Sequence, residues 1–148
     1  MYKHILLPTD GSKLSARAAS QCVQFAQSIG AKVTAIHVSA EFRTLMDEGF
    51  VVPNVAAIKK RFEEESGKRS KALLESVKSA ARAAGVECDG VSVFADLPYD
   101  AIIKQAKKSK CDLIMMASHG RKGLSSLLLG SETSKVLTHS TIPVLVVR

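Results

Sequence analysis

Two glycine-containing segments carry residue types that could bind a ligand. The first runs from Pro8 to Ser12, follows a short apolar run and includes Asp10. The second runs from Ala117 to Gly123 and is followed by the pair Gly130-Ser131. Small residues let backbone N–H groups approach phosphate oxygens, and a helix N-terminus adds favourable partial charge. The second segment therefore predicts anion binding, although the glycines of an ordinary turn would look the same.

Other kinds of site find little support in the sequence. No G-x-x-x-x-G-K-[ST] segment is present, and no G-x-G-x-x-G follows the first apolar run. Ser118 lies in no G-x-S-x-G elbow, so a hydrolase nucleophile is not indicated. The cysteines Cys22, Cys88 and Cys111 are far apart and form no C-x-x-C pair. We interpret them as reduced core thiols rather than a disulfide framework or a zinc site.

Short apolar runs alternate with helical periodicity along the chain. Strands are predicted at Lys3–Pro8, Val33–Val38, Val91–Phe94, Asp112–Ala117 and Pro143–Val147, and helices at Leu14–Ile29, Val55–Ala84, Tyr99–Lys108 and Ser125–His139. This order predicts one α/β domain over residues 1–148, with an open, mostly parallel five-stranded sheet covered on both faces, as in Rossmann-like folds. The residues from Ser39 to Asn54 are expected to be an irregular excursion. Ligands of such sheets bind beyond the carboxyl ends of the strands, where the strand order reverses.

Composition narrows the possible partners. The chain has 148 residues, of which 46% are hydrophobic, and its longest apolar runs are too short to cross a bilayer. No signal-peptide cleavage site follows Met1, so we expect a cytoplasmic protein without membrane contact. The net charge of +7 suits an anionic partner. Because the basic residues are dispersed, no nucleic-acid partner is expected.

The second segment also has a distinctive spacing. Ala117-Ser118-His119-Gly120, nine further residues and Gly130-Ser131 resemble the nucleotide motif of the universal stress protein family, G-x-x-G, nine residues, G-[S/T]. The order of elements agrees from Pro8-x-Asp10 to the final apolar run, so the resemblance covers essentially the whole chain. One position departs, because Ala117 stands where the motif has its first glycine.

The resemblance implies a set of ligand contacts. In ATP-binding members, Asp10 and Val38 match residues that hold ribose and adenine beside Pro8, whereas the backbone at Ala117, His119, Gly120 and Gly130, with the Ser131 hydroxyl, matches the phosphate contacts. A carboxylate can accept hydrogen bonds from ribose hydroxyls, and a main-chain edge can read adenine. Mg²⁺ is expected with the ATP, held by phosphates and water rather than by a dedicated protein site.

Several residues have a second interpretation. Asp10 could cap the following helix, although Ser12 competes for that role. Arg121 and Lys122 could screen phosphate charge or simply be solvated. His119 could act as an acid or base, but backbone contact is favoured because no carboxylate can be placed beside it. Gly130 is expected to serve close approach or a positive φ.

The expected function is that of an ATP-binding stress-response or regulatory protein with at most slow ATP hydrolysis. The family resemblance also suggests a homodimer that pairs through Pro143–Val147, with a regulatory protein partner that the sequence does not identify. One alternative is a nucleotide-free dimeric interaction protein of the same family. Another is an adenylyl-transfer enzyme, but Thr9–Lys13 lacks the glycine-rich or histidine pair that such chemistry uses.

Overall fold

The computed structural model describes residues 1–43, 53–120 and 128–148, in which strands and helices alternate. The elements are β1 (His4–Pro8), α1 (Lys13–Ile29), β2 (Lys32–Ser39), α2 (Val55–Ala83), β3 (Cys88–Phe94), α3 (Pro98–Lys108), β4 (Leu113–Ala117), α4 (Ser131–His139) and β5 (Val144–Val147). None of the helices in these ranges has the length and apolar composition needed to span a membrane.

The five strands form one sheet in the order β3-β2-β1-β4-β5, and every neighbouring pair is parallel. The predicted α/β fold is therefore confirmed, with a sheet that is wholly rather than mostly parallel. The chain first builds outward from β1 through β2 to β3, then crosses back to place β4 and β5 on the other side. The strand order thus reverses between β1 and β4.

Alternate side chains of the central strands belong to two apolar layers, one on each face of the sheet. In β1, Ile5 and Leu7 pack in the layer that contains α1 and α2, whereas Leu6 packs in the opposite layer with α3 and α4. In β4, Met115 and Met116 divide in the same way. These residues are almost completely buried. Period-two alternation with both faces covered explains why such strands read as continuous apolar runs.

Helix ends follow local capping chemistry. Ser12 is the N-cap of α1, and its hydroxyl accepts a hydrogen bond from the Ser15 N–H at 3.2 Å. Gly30 ends α1 with φ 66°, so the predicted glycine stop is confirmed. The predicted start of the last helix at Ser125 is wrong for the part that can be checked, because residues 128–130 are not helical and α4 begins at Ser131. Residues 125–127 lie outside the described ranges.

The expected excursion from Ser39 to Asn54 is also partly corrected. Ser39 is the last residue of β2, since the pairing of β2 with β3 extends to Phe94. Residues 44–52 lie outside the described ranges, so their expected irregularity stays a prediction.

The start of β1 is fixed to the start of β4 by one carboxylate. Asp112 accepts hydrogen bonds from the Lys3 N–H at 2.9 Å and the His4 N–H at 3.0 Å. Burial opposes ionisation of this carboxyl group, but the hydrogen bonds from the backbone outweigh it and lower the pKa of Asp112. The ionised form therefore contributes stability above about pH 4, the unfolded-state pKa, and this contribution is lost as the pH falls through the folded-state pKa.

Replacing this carboxylate should weaken the fold in a pH-dependent way. We expect Asp112→Asn to lower the free energy of unfolding by about 1 kcal/mol at pH 7, because charge-assisted hydrogen bonds are lost. The difference from the parent should shrink as the pH falls below about 4, the unfolded-state pKa. Urea titrations at a series of pH values measure it, with the exposed Asp89→Asn as control. An equal deficit at every pH would contradict this account.

Candidate functional site

The loop after β1 is held against the first turn of α1 by hydroxyl groups. The Thr9 N–H donates to the Ile36 carbonyl at 2.9 Å, which continues the contact between β1 and β2. The Thr9 Oγ1 lies 2.6 Å from the Ser15 Oγ, and the Asp10 N–H donates to the same Ser15 oxygen at 3.1 Å. The backbone that carries Asp10 is therefore fixed at the carboxyl end of β1.

Asp10 is directed by this loop toward the segment that follows β4. Its Oδ1 accepts a hydrogen bond from the Ser12 N–H at 2.9 Å. Its Oδ2 faces Gly120 so closely that a Cβ atom at Gly120 would collide with the carboxylate. Ser12, not Asp10, caps α1, so the helix-cap interpretation of Asp10 is wrong. The two predicted residues Asp10 and Gly120 are brought into contact at the switch point.

The end of β4 is fastened to the start of α4. The Gly130 N–H donates to the Ser118 carbonyl at 2.8 Å, and the Thr133 Oγ1 donates to the Ala117 carbonyl at 3.0 Å. A Cβ at Gly130 would lie 2.9 Å from the His119 Cα and 3.1 Å from its Cβ. Gly130 has φ −62°, so close approach is the reason for glycine here and a positive φ is not.

The start of α4 presents backbone N–H groups that no side chain of the described residues caps. Gly130 is the N-cap residue and supplies no side chain, and the first intrahelical bond runs from the Ser134 N–H to the Gly130 carbonyl at 2.9 Å. The N–H groups of the first turn precede that bond, and the exposed Ser131 lies among them. Such a helix end attracts anions through its N–H groups and its partial positive charge.

The residue that departs from the glycine motif does not block this edge. Ala117 is the last residue of β4, is buried, and packs in the layer with α1 and α2. Its methyl group therefore belongs to the core. His119 is partly buried, and its Nδ1 lies 3.1 Å from the Ser118 Oγ. Among the hydrogen bonds between described residues, none joins the His119 ring to a carboxylate, so an acid or base role gains no support.

The end of β2 offers a second backbone surface. Pro8, the last residue of β1, is opposite Ile36, whose carbonyl accepts the bond from Thr9. Peptide groups of alternate strand residues point to the same side. The N–H and carbonyl of Val38 therefore point in the direction of those of Ile36, beyond the end of β1, while its side chain packs beside Val93. This edge can hydrogen bond to a ligand.

Not every predicted contributor can be placed, and one residue was missed. Arg121 and Lys122 lie outside the described ranges, so their part stays a prediction. Sequence reasoning did not single out Glu132, whose Oε2 accepts a hydrogen bond from the Tyr99 N–H at 2.8 Å. The available signal was Pro98 at the start of a helix that has no capping side chain of its own. The described ranges contain no group of three or more His, Cys, Asp or Glu side chains that could hold a metal ion.

The geometry defines an α/β protein whose candidate ligand edge consists mainly of backbone groups at the switch point of a parallel sheet. The family model described as "Universal stress protein family" matches residues 1–148. The chain is 35% identical to universal stress protein MJ0531 of Methanocaldococcus jannaschii over 150 residues, which cover all of this chain and 83% of that protein. The chain belongs to the universal stress protein family.

Solved structures agree with this assignment. The structure of protein MJ0577 of M. jannaschii superposes with a TM-score of 0.83 at 30% identity, covering 99% of this chain and 96% of that one. A universal stress protein determined in complex with cAMP superposes with a TM-score of 0.71 at 25% identity, covering 99% and 97%. The family and the fold therefore rest on sequence and on structure.

The close approach at Gly130 predicts a difference between two glycine substitutions. Gly130→Ala should lower the free energy of unfolding by about 1–3 kcal/mol, because the new methyl group overlaps the His119 backbone. Gly67→Ala is the matched control, since it lies within α2 and its Cβ would meet no atom within 4 Å. That variant should gain about 0.5–1 kcal/mol. Equal unfolding free energies of the two variants in urea would refute the proposed crowding at Gly130.

Proposed function

We propose that this chain is an ATP-binding universal stress protein that acts as a cytoplasmic stress-response or regulatory protein. The observation that carries the proposal is the arrangement of two consecutive residues. Gly120 contacts the Asp10 carboxylate, and the preceding residue, His119, contacts Gly130. Because consecutive Cα atoms are about 3.8 Å apart, the carboxylate and the start of α4 lie close together. That spacing suits the ribose and the phosphates of one nucleotide.

Each part of a nucleotide meets a suitable group in this proposal. Asp10 accepts hydrogen bonds from the ribose hydroxyls, and the peptide groups of Val38 read the adenine edge beside Pro8. The backbone from Ala117 to Gly120, together with the Gly130 N-cap and the Ser131 hydroxyl, surrounds the phosphates. Uncapped N–H groups and a net charge of +7 favour such an anion. The relative determined in complex with cAMP supports an adenine nucleotide as the ligand class.

We expect Mg²⁺ to bind together with ATP rather than at a separate site on the protein. Mg²⁺ neutralises phosphate charge and retains several waters when it binds ATP, so it needs few protein ligands. The described residues contain no metal-ligating cluster that would suggest a dedicated site. The contribution of the chain is therefore to hold the phosphates through N–H groups and the Ser131 hydroxyl.

The proposed activity is binding, with slow hydrolysis at most. Efficient phosphoryl transfer needs a positioned base or water-orienting group. The one described side-chain hydrogen bond of His119 is with the neighbouring Ser118 hydroxyl. Nucleotide occupancy would then act by changing conformation or the choice of a protein partner. Analysis of nucleotide released from the purified protein separates this proposal from a nucleotide-free family member, and steady-state turnover separates it from an adenylyl-transfer enzyme.

Binding should depend on the space at Gly130. Calorimetry of the parent protein with Mg²⁺ and ATP should give a saturable signal at micromolar to high micromolar ATP. Gly130→Val should weaken ATP binding at least tenfold, about 1.4 kcal/mol, because the valine side chain would displace His119 and the start of α4. Ala117→Gly should bind ATP at least as well as the parent, since it removes only a methyl group of the core. If folded Gly130→Val binds like the parent, the phosphate position is wrong.

We further propose a homodimer through β5, the outer strand next to β4. The carbonyls of Pro143 and Val147 accept bonds from the N–H groups of Ile114 in β4 and of Ser118 directly after it. The peptide groups of Val144 and Val146 therefore point to the open edge. An unpaired strand edge invites association. Exposed Leu145 adds apolar surface there.

Sedimentation velocity should separate this edge from other apolar positions. The parent should sediment as a dimer, and Leu145→Lys should shift it toward monomer through like-charge repulsion across the symmetric interface. Ile58→Lys is the control, because Ile58 on α2 is 45% exposed compared with 37% for Leu145. A monomeric parent, or a Leu145→Lys dimer as stable as the parent, would place any association elsewhere.

A further inference from the structure

Glu132 joins the starts of two helices. It belongs to the first turn of α4, directly after Ser131, yet its Oε2 accepts the hydrogen bond of the Tyr99 N–H in α3 at 2.8 Å. Its Oε1 lies 3.2 Å from the Lys135 Nζ. The carboxylate of one helix is thus directed to the backbone of another.

The contact supplies a cap that α3 lacks. Leu97 is the N-cap residue of α3 and makes no side-chain capping bond, and Pro98 has no N–H. Tyr99 therefore offers the first backbone donor of the helix, and the carboxylate of Glu132 satisfies it. A negative charge at this position also complements the partial positive charge at the start of α3.

Because the Glu132 carboxylate is directed to α3, it leaves the first-turn N–H groups of α4 available to another anion. A carboxylate in the first turn of a helix can occupy the N–H groups of its own helix. Glu132 instead bonds to α3, and among the described residues no side chain caps α4. The Glu132 carboxylate consequently caps the start of α3 and not the start of its own helix.

Aromatic contacts reinforce the junction of α3 and α4. The Lys135 Nζ lies 5.5 Å from the centroid of the Tyr99 ring, and the His139 ring lies 5.3 Å from it. Tyr99 therefore contacts residues near the middle and the end of α4, while its N–H meets the first turn. A displacement of α4 would disturb all three contacts.

We propose that Glu132 is a positioning residue that couples phosphate binding at the start of α4 to the order of the start of α3. This inference rests on the proposed function. A phosphate bound to the first-turn N–H groups of α4 holds that turn in place, and the Glu132 carboxylate transmits the restraint to the Tyr99 amide. Asp96, which precedes α3, also forms a 2.6 Å ion pair with Arg43 beyond β2. That exposed ion pair is weak and connects α3 to the end of β2 rather than to α4.

The test compares two substitutions with a remote control. Glu132→Ala removes the acceptor, Glu132→Gln keeps an acceptor oxygen but no charge, and Glu64→Ala removes an exposed glutamate from α2. ATP affinity is measured by calorimetry and adenosine affinity by the NMR shift of the Val38 amide. Hydrogen exchange of the Tyr99 amide is followed with and without ATP.

We expect Glu132→Ala to weaken ATP binding about tenfold, while the affinity for adenosine stays at the parent value. ATP should slow exchange of the Tyr99 amide in the parent, in Glu132→Gln and in Glu64→Ala, but not in Glu132→Ala. Equal losses for ATP and adenosine would indicate a merely structural role and overturn the inference, as would unchanged ATP affinity in Glu132→Ala. A parent that binds neither ligand would overturn the proposed function together with the inference. A parent that binds both, with no slowing at Tyr99, would overturn the inference alone.

Discussion

The close packing of Gly130 against His119 is the contact on which the candidate site depends. It brings the start of α4 to the end of β4, where the Gly130 N–H reaches the Ser118 carbonyl. A larger residue would need the helix and the strand to separate, because interiors are packed too densely to absorb an added methyl group without movement. Since Gly120, the residue after His119, contacts Asp10, the same packing sets the distance between the two loops at the switch point. Two glycines thus fix the geometry, and the side chains around them contribute polar groups.

Backbone N–H groups orient both acidic side chains at this edge. The Asp10 carboxylate receives the Ser12 N–H, and the Glu132 carboxylate receives the Tyr99 N–H. Each of these acids is therefore oriented by a backbone amide. The arrangement gives a site that can accept negative charge while acidic residues lie nearby. It also explains how a chain without a P-loop can offer several donors to phosphate.

How much of this could be read from the sequence differed from one feature to another. The sheet was predictable because β-branched and apolar runs such as Val33–Val38 are bounded by clear stops such as Gly30. The start of α4 was not, because the apolar residues before Gly130 continue a helical pattern, whereas Leu128 and Leu129 are exposed and not helical. The spacing matched Gly120 and Gly130 to the glycine motif. It could not show that Gly120 lies against the Asp10 carboxylate and Gly130 against the His119 backbone. Glu132 escaped notice because its partner lies 33 residues away along the chain.

The position of β1 in the middle of the sheet also bears on how the chain folds. Its neighbours are β2, which follows soon after, and β4, which is directly preceded by Asp112, whose carboxylate bonds to Lys3 across a separation of 109 residues. During synthesis, the edge of β1 that pairs with β4 stays unpaired until most of the chain has been made. Contacts so distant in sequence slow folding, because a long loop must close before they form. The first strand of the sheet in chain order thus completes its pairing late, and its apolar residues are open to aggregation or to chaperones in the interval.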